Sequence, residues 1–153
     1  MTALTLRPAR PTDAGRLGAL LTDAVEDVPW KPRLRSAAED IAEAGRMIEA
    51  GWVTVAEAPE RRILGFLARE GAYVHALMIA AEAQGQGIGR RLVDDAKDRS
   101  PELRLWTFAR NERARRFYAR EGFAEIARTD GAGNDEGLAD IHFHWSREGI
   151  PHE

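Results

Sequence analysis

Apolar and polar positions along this chain alternate with two periods, and the switches between them mark out its elements. Leu4-Thr5-Leu6-Arg7 alternates like a strand, and Pro11-Thr12-Asp13 opens a helix in which Leu17, Leu20, Leu21 and Val25 recur at helical spacing. A loop holds Pro29, Pro32 and the basic residues between Lys31 and Arg35. Ser36 then stands where it can cap a helix running through Ile41, Met47 and Ile48 and ending near Gly51. Trp52 to Ala56 and Arg62 to Ala68 read as a strand pair around a turn at Pro59-Glu60, and Tyr73 to Ile79, short and apolar, predicts a buried strand. Helical spacing returns with Ile88, Leu92, Val93 and Ala96, interleaved with Arg90, Arg91, Asp94, Asp95, Lys97 and Asp98. A strand from Leu103 to Thr107, a helix opened by Asn111, a strand after Phe123 to Thr129, a polar loop from Asp130 to Gly137 and a last strand from Asp140 to Trp145 complete the order.

The segment Gln84-Gly85-Gln86-Gly87-Ile88-Gly89-Arg90 falls between a predicted strand and a predicted helix start. A helix start offers unpaired N–H groups and the positive end of the helix dipole. Gly87 and Gly89, without Cβ, would let a ligand oxygen come close to the backbone, so an anion is the expected guest. Three phosphate loops share this architecture. A dinucleotide fingerprint needs a third glycine where Arg90 stands, and a P-loop needs Lys and then Ser or Thr where Arg90-Arg91 follow Gly89. What remains, Gln-x-x-Gly-x-Gly, resembles the pyrophosphate loop of the GNAT superfamily of acyl-CoA-dependent N-acyltransferases.

A second constellation strengthens the resemblance. Asn111-Glu112-Arg113-Ala114-Arg115-Arg116-Phe117-Tyr118-Ala119-Arg120-Glu121-Gly122-Phe123 fills every fixed position of the GNAT pattern Asn-x-x-Ala-x-x-Phe-Tyr-x-x-x-Gly-Phe. Asn111 suits an N-cap, Ala114, Phe117 and Tyr118 share a helical face, and Gly122 is placed to end the helix in a left-handed conformation. The element order is similar to the GNAT fold across the whole chain. It implies an α+β fold in which a mixed, mostly antiparallel sheet of about six to seven strands, splayed at the acyl-CoA site, is flanked by about four helices. A single N-acetyltransferase domain over 1–153 is the expectation.

Composition narrows the function classes. The chain has 153 residues, 44% of them hydrophobic, enough for a real core. Its net charge of −3 argues against a wholesale nucleic-acid surface. The arginines from Arg110 to Arg120, interleaved with Glu112 and Glu121, read either as a solvated helix face or as local attraction for the nucleotide end of coenzyme A. With no cysteine, disulfides, thiolate metal sites and an acyl-cysteine intermediate are excluded. No signal-like segment and no apolar run of membrane-spanning length is present, so a cytoplasmic protein without a membrane partner is expected. His142 and His144 share a strand face, but no third ligand is spaced to join them and no metal is expected.

The resemblance also implies roles. Acetyl-CoA would be the co-substrate. Carried over from Gln84, the Leu77 amide would face the thioester carbonyl and Ile79 would pair with the pantetheine arm. The amides from Gln84 through Gly85, Gln86, Gly87, Ile88 and Gly89 to Arg90 would take the pyrophosphate. Asn111 would bond the pantetheine or its neighbourhood, and Tyr118 matches the position of the acid that protonates the leaving thiolate. An alkylammonium acceptor with a pKa of about 10 costs roughly 4 to 5 kcal/mol to deprotonate at neutral pH, so a base is needed. His75 is the leading candidate, about 7 Å from Leu77 on the same strand face. Its alternative is a structural histidine, with Glu26 and Glu70 in reserve, because the more typical Glu position of the family holds Tyr73. Asp23, Glu26 and Asp27, with Trp30, Tyr73, His75 and Trp106, are candidates for the acceptor side. The expected reaction is direct attack of a primary amine on acetyl-CoA. A non-catalytic acyl-CoA-binding domain, or an acyltransferase acting on a protein N-terminus or lysine, stands as an alternative. A small amine or a peptide would be the partner, and a homodimer stays open.

Overall fold

In the computed structural model, which describes residues 3–26, 30 and 32–148, the strand and helix order is the one the periodicity predicts. The elements are β1 (Thr5–Pro8), α1 (Ala14–Glu26), α2 (Ala37–Glu49), β2 (Val53–Ala58), β3 (Arg62–Glu70), β4 (Tyr73–Ile79), α3 (Ile88–Arg99), β5 (Glu102–Phe108), α4 (Glu112–Arg120), β6 (Ala124–Thr129) and β7 (Asp140–Ser146). Short 3-10 turns precede α1 at Pro11–Asp13, join β2 to β3 at Pro59–Arg61, and follow β4 at Ala81–Ala83. The strands form a seven-stranded sheet in the order β1-β2-β3-β4-β5-β7-β6, so the fold is mixed α+β with four helices among the described residues. β1–β2, β2–β3, β5–β7 and β6–β7 pair antiparallel, and β4–β5 pairs parallel with the bridge Tyr73↔Arg104.

Two compact units make up the chain: residues 1–70 with 75–93, and residues 71–74 with 94–153. In the first, α1 packs on α2 and on β3. Its core takes Leu17, Leu20 and Leu21 from α1, Ala44, Met47 and Ile48 from α2, and Val55, Phe66 and Leu67 from the strands. α2 starts where Ser36 predicts, through a reciprocal cap: Ser36 Oγ accepts from the Glu39 amide at 3.1 Å and Glu39 Oε1 accepts from the Ser36 amide at 3.0 Å. Ile41, though on the predicted stripe, is 42% exposed. In the second unit, Leu103, Leu105, Tyr118, Phe123, Ile141 and Phe143 form the core. The buried strand expected at Tyr73–Ile79 is a correction: Val74 is buried, His75 is exposed and the remaining residues of β4 are half-buried. The physical reason is that side-chain burial is set by what packs on a strand's two faces, which apolar composition alone does not report.

A charge cluster ties the start of the first unit together. Arg7 on β1 donates to both oxygens of Asp13, at 2.9 and 3.3 Å, and to Glu57 Oε2 on β2 at 2.8 Å. The Asp13 carboxylate also accepts from the Arg10 amide at 2.7 Å. The Arg7 hydrogen bonds hold Asp13 and Glu57 below the ordinary carboxylate range. A depressed carboxylate contributes stability that is present above its unfolded pKa and is lost as pH falls through its folded value. Thermal unfolding followed from pH 7 downward should therefore show stability declining below about pH 4. Arg7→Met should lower the unfolding midpoint at neutral pH and flatten that acid limb. A variant with an unaltered acid limb would show that the cluster does not set it.

Candidate functional site

The loop after β4 is staked at both ends by buried apolar side chains and open between them. Ala80 and Ala83 are buried on one side and Ile88 on the other, while Gln84, Gly85, Gln86 and Gly87 are exposed. The Ala80 amide bonds the Leu64 carbonyl at 2.8 Å, which fixes the end of β4 to β3. The chain then turns through Gly85 and Gly87, each at φ +80, a conformation that L side chains adopt only with strain. A Cβ at either would meet nothing within 4 Å, so the requirement is conformational rather than steric. The glycines that shape the turn are thus Gly85 and Gly87; Gly89, expected to share in the close approach, lies inside α3.

α3 begins with the bond from the Arg91 amide to the Gly87 carbonyl at 3.1 Å. The Ile88 and Gly89 amides therefore precede the first helical donor, the Arg91 amide, and sit at the positive end of the helix dipole. The first turn carries no acidic residue but holds Arg90 and Arg91. Cations there work against the dipole. Arg91 reaches the Leu4 carbonyl at 3.2 Å. Glycine turn, amide donors and two arginines form a cradle for a doubly charged anion such as a pyrophosphate.

Within the same unit, Leu77 and Ile79 lie partly exposed on β4, and His75 shares the Leu77 face by strand alternation. His75 is not buried in the core: its Nε2 lies 2.8 Å from Glu70 Oε1, and its ring stacks on Trp52 with centroids 4.6 Å apart and planes 9° from parallel. Glu70, a reserve base in the sequence reading, is thus the neighbour of the leading one. Trp30 is half-buried in a turn. Glu26 closes α1, and its side chain and the whole of Asp27 lie outside the described residues.

In the second unit α4 opens as predicted, with Asn111 Oδ1 accepting from the Ala114 amide at 3.1 Å. It closes at Gly122 with φ +90. Oδ1 is engaged in the cap, so Nδ2 is the atom with which Asn111 can donate to a ligand. Tyr118 is buried among Phe117, Phe123 and Phe143, and burial pushes its phenol above the ordinary value. The arginines of α4 are partly matched on their own unit: Arg115 lies 3.9 Å from Glu125 and Arg116 3.7 Å from Glu112. Both line an open groove of about 680 Å³ floored by Ala119, Phe123 and Phe143. This favours the solvated-face reading for those two residues.

The opposite face of β5 and β7 holds a pairing that the sequence reading missed. Register sets Trp106 against His142, and their rings stack at 4.6 Å and 10°, with Trp106 40% exposed. Burial, then Arg104 and His144, lower the His142 pKa, which keeps that ring neutral. Tyr73 is half-buried, its phenol raised first by burial and then by Asp140. His144 Nε2 lies 3.3 Å from Glu102 Oε2, and no group of three His, Cys, Asp or Glu that could hold a metal occurs among the described residues. No helix there is long and apolar enough to cross a membrane.

A strand, a positive-φ glycine turn and a helix start carrying two arginines thus follow one another in the first unit, an arrangement able to accept an anion. The family model described as an acetyltransferase (GNAT) domain matches residues 42–125, and the chain belongs to this family. It is an N-acetyltransferase that takes its acetyl group from acetyl-CoA. It is 29% identical over 130 residues to the peptidyl-lysine N-acetyltransferase YjaB of Escherichia coli K12, covering 83% of this chain and 86% of that protein. The solution structure of apo YjaB has a TM-score of 0.71 at 24% identity, covering 93% of this chain and 97% of that one. The structure of YncA from Salmonella typhimurium with its cofactor acetyl-CoA has a TM-score of 0.73 at 19% identity, covering 99% and 96%.

Gly87→Ala forces an L residue into the left-handed region at about 1 to 2 kcal/mol. Because the space around it is open, the chain should still fold, with the turn relaxing away from its ligand geometry. KM for acetyl-CoA should rise about tenfold with kcat little changed; an unaltered KM would mean that the turn does not grip the donor.

Proposed function

We propose that this chain acetylates the side-chain amine of lysine in peptides or proteins, with all of 1–153 forming one N-acetyltransferase domain at work in the cytoplasm. The observation that carries the donor half is the turn at Gly85 and Gly87 leading into a helix start with Arg90 and Arg91. The acceptor half is supported by the likeness to YjaB, a peptidyl-lysine N-acetyltransferase.

On this reading the amides from Gln84 to Arg90 hold the pyrophosphate, and Asn111 contributes through Nδ2. Ile79 pairs with the pantetheine arm much as an added strand would. The Leu77 N–H points at the thioester oxygen, where negative charge develops, a kind of contribution worth about 3 kcal/mol. His75 takes a proton from the acceptor ammonium, and the neutral amine attacks the carbonyl carbon. The C–N bond forms, the tetrahedral intermediate collapses and the C–S bond breaks. The remaining surplus proton on nitrogen reaches sulfur by way of the Tyr118 hydroxyl. Glu26, Trp30, Tyr73 and Trp106 form the acceptor side, where aromatic faces suit the aliphatic stem and cationic head of lysine.

Thiol release from acetyl-CoA, measured with a lysine peptide, the same peptide with its lysine blocked, and small primary amines, tests the acceptor. Turnover should follow the free lysine, and faster turnover with small amines would overturn that choice. Tyr118→Phe should lower kcat about a hundredfold while leaving KM for acetyl-CoA near its original value. Undiminished turnover would remove Tyr118 from the mechanism.

A further inference from the structure

We infer that Glu70 is the positioning residue for His75, with Trp52 fixing the plane of the imidazole; this rests on the reading of His75 as the base. Glu70 Oε1 lies 2.8 Å from His75 Nε2, and Trp52 covers the ring face at 4.6 Å and 9°. One contact lies in the ring plane and the other perpendicular to it, so together they restrain both side-chain torsions of the histidine. The backbone supports the arrangement, because the Arg69 amide donates to the Trp52 carbonyl at 2.8 Å, which ties Trp52 to the residue beside Glu70.

The chemistry follows from donor and acceptor types. An ionised carboxylate only accepts, so Nε2 carries the hydrogen and the lone pair of the neutral ring falls on Nδ1. Nδ1 takes one proton from the acceptor ammonium, and the imidazolium that results is held by a charge-assisted bond to Glu70. After C–N formation and C–S cleavage, the second surplus proton of the acceptor nitrogen ends on sulfur through Tyr118, and His75 returns its own to water. The balance is acetyl-CoA and ammonium in, amide, free thiol and one proton out. Folding does not explain the pair. With the Glu70 side chain 57% and the His75 side chain 30% exposed, such an ion pair contributes little to stability. Its effect is to select a tautomer and an orientation on the strand face that also carries Leu77.

Four proteins test this: wild type, Glu70→Ala, His75→Ala and the double variant, with kcat and KM from thiol release and the imidazole ¹⁵N shifts of His75 by NMR. His75→Ala should lower kcat about a hundredfold and Glu70→Ala about tenfold, both with KM for acetyl-CoA within about twofold. The double variant should be no slower than His75→Ala, and Glu70→Asp should recover part of the loss. In wild type the shifts should report the Nε2–H tautomer, and in Glu70→Ala a mixture. Losses that multiply in the double variant, or a tautomer unmoved by Glu70→Ala, would overturn the inference. So would full activity of His75→Ala, and that outcome leaves acetyl transfer itself standing. If wild type releases no thiol with any amine, the proposed function fails, and the tautomer spectra alone then decide whether Glu70 positions His75.

Discussion

The start of α3 is the constraint on which the donor side of this protein depends. A helix that begins with Arg90 and Arg91, and has no acidic residue in its first turn, places cations where the dipole is already positive. Local stability argues against that arrangement. The preceding turn adds a second unfavourable choice, two glycines at φ +80, which cost chain entropy on folding. Arg91 recovers part of that cost through its bond to the Leu4 carbonyl, and on the proposed reading both features become favourable together when an anion with several oxygens occupies the cradle. The buried residues Ala83 and Ile88 keep the turn in place without it, so the ligand meets donors already oriented. On the proposed reading, binding energy then goes into gripping the pyrophosphate rather than ordering a loop.

How much of this was legible in the sequence depends on how local each cause is. The cap at Ser36, the cap at Asn111, the helix ends at Gly51 and Gly122 and the glycine turn before α3 are written within a few residues, and all are read from the chain directly. Within the loop, the division of labour among Gly85, Gly87 and Gly89 needed the backbone angles, because spacing alone does not say which glycine leaves the helix. The Arg7–Asp13–Glu57 cluster joins residues up to fifty positions apart, and the Trp106–His142 stack follows from the β5–β7 register. Nothing in either local pattern announces them. The contact between Glu70 and His75 is a middle case. They stand five positions apart across the turn at Gly71-Ala72, so the pair was within reach, but the sequence offered them as rival bases rather than as partners.

Burial explains why the apolar strand was misjudged. Tyr73 to Ile79 has the composition of an enclosed strand, yet only Val74 is closed off. Composition reports what a strand tolerates, whereas what packs on its two faces decides how far it is buried. A strand that leaves apolar side chains partly exposed gains less from burial than its composition would allow. That partial exposure at Leu77 and Ile79 fits the donor role proposed for them.

The state of Tyr118 constrains how it can serve on the proposed route. A thiol has an ordinary pKa of about 8.5 and a phenol about 10, so even an unperturbed tyrosine would not surrender its proton outright to a thiolate. Burial among three phenylalanines pushes the phenol further up. Tyr118 thus keeps its proton across the physiological range and never stands as a phenolate waiting to be refilled. A hydroxyl of this kind works by passing a proton on as it receives one: the surplus proton on the acylated nitrogen moves to the phenol oxygen while the phenol proton moves to sulfur. The step is then driven by the acidity of the tetrahedral nitrogen rather than that of tyrosine. Raising the phenol pKa protects the relay from idle ionisation, and the aromatic cluster that holds Tyr118 in the core also sets its chemistry.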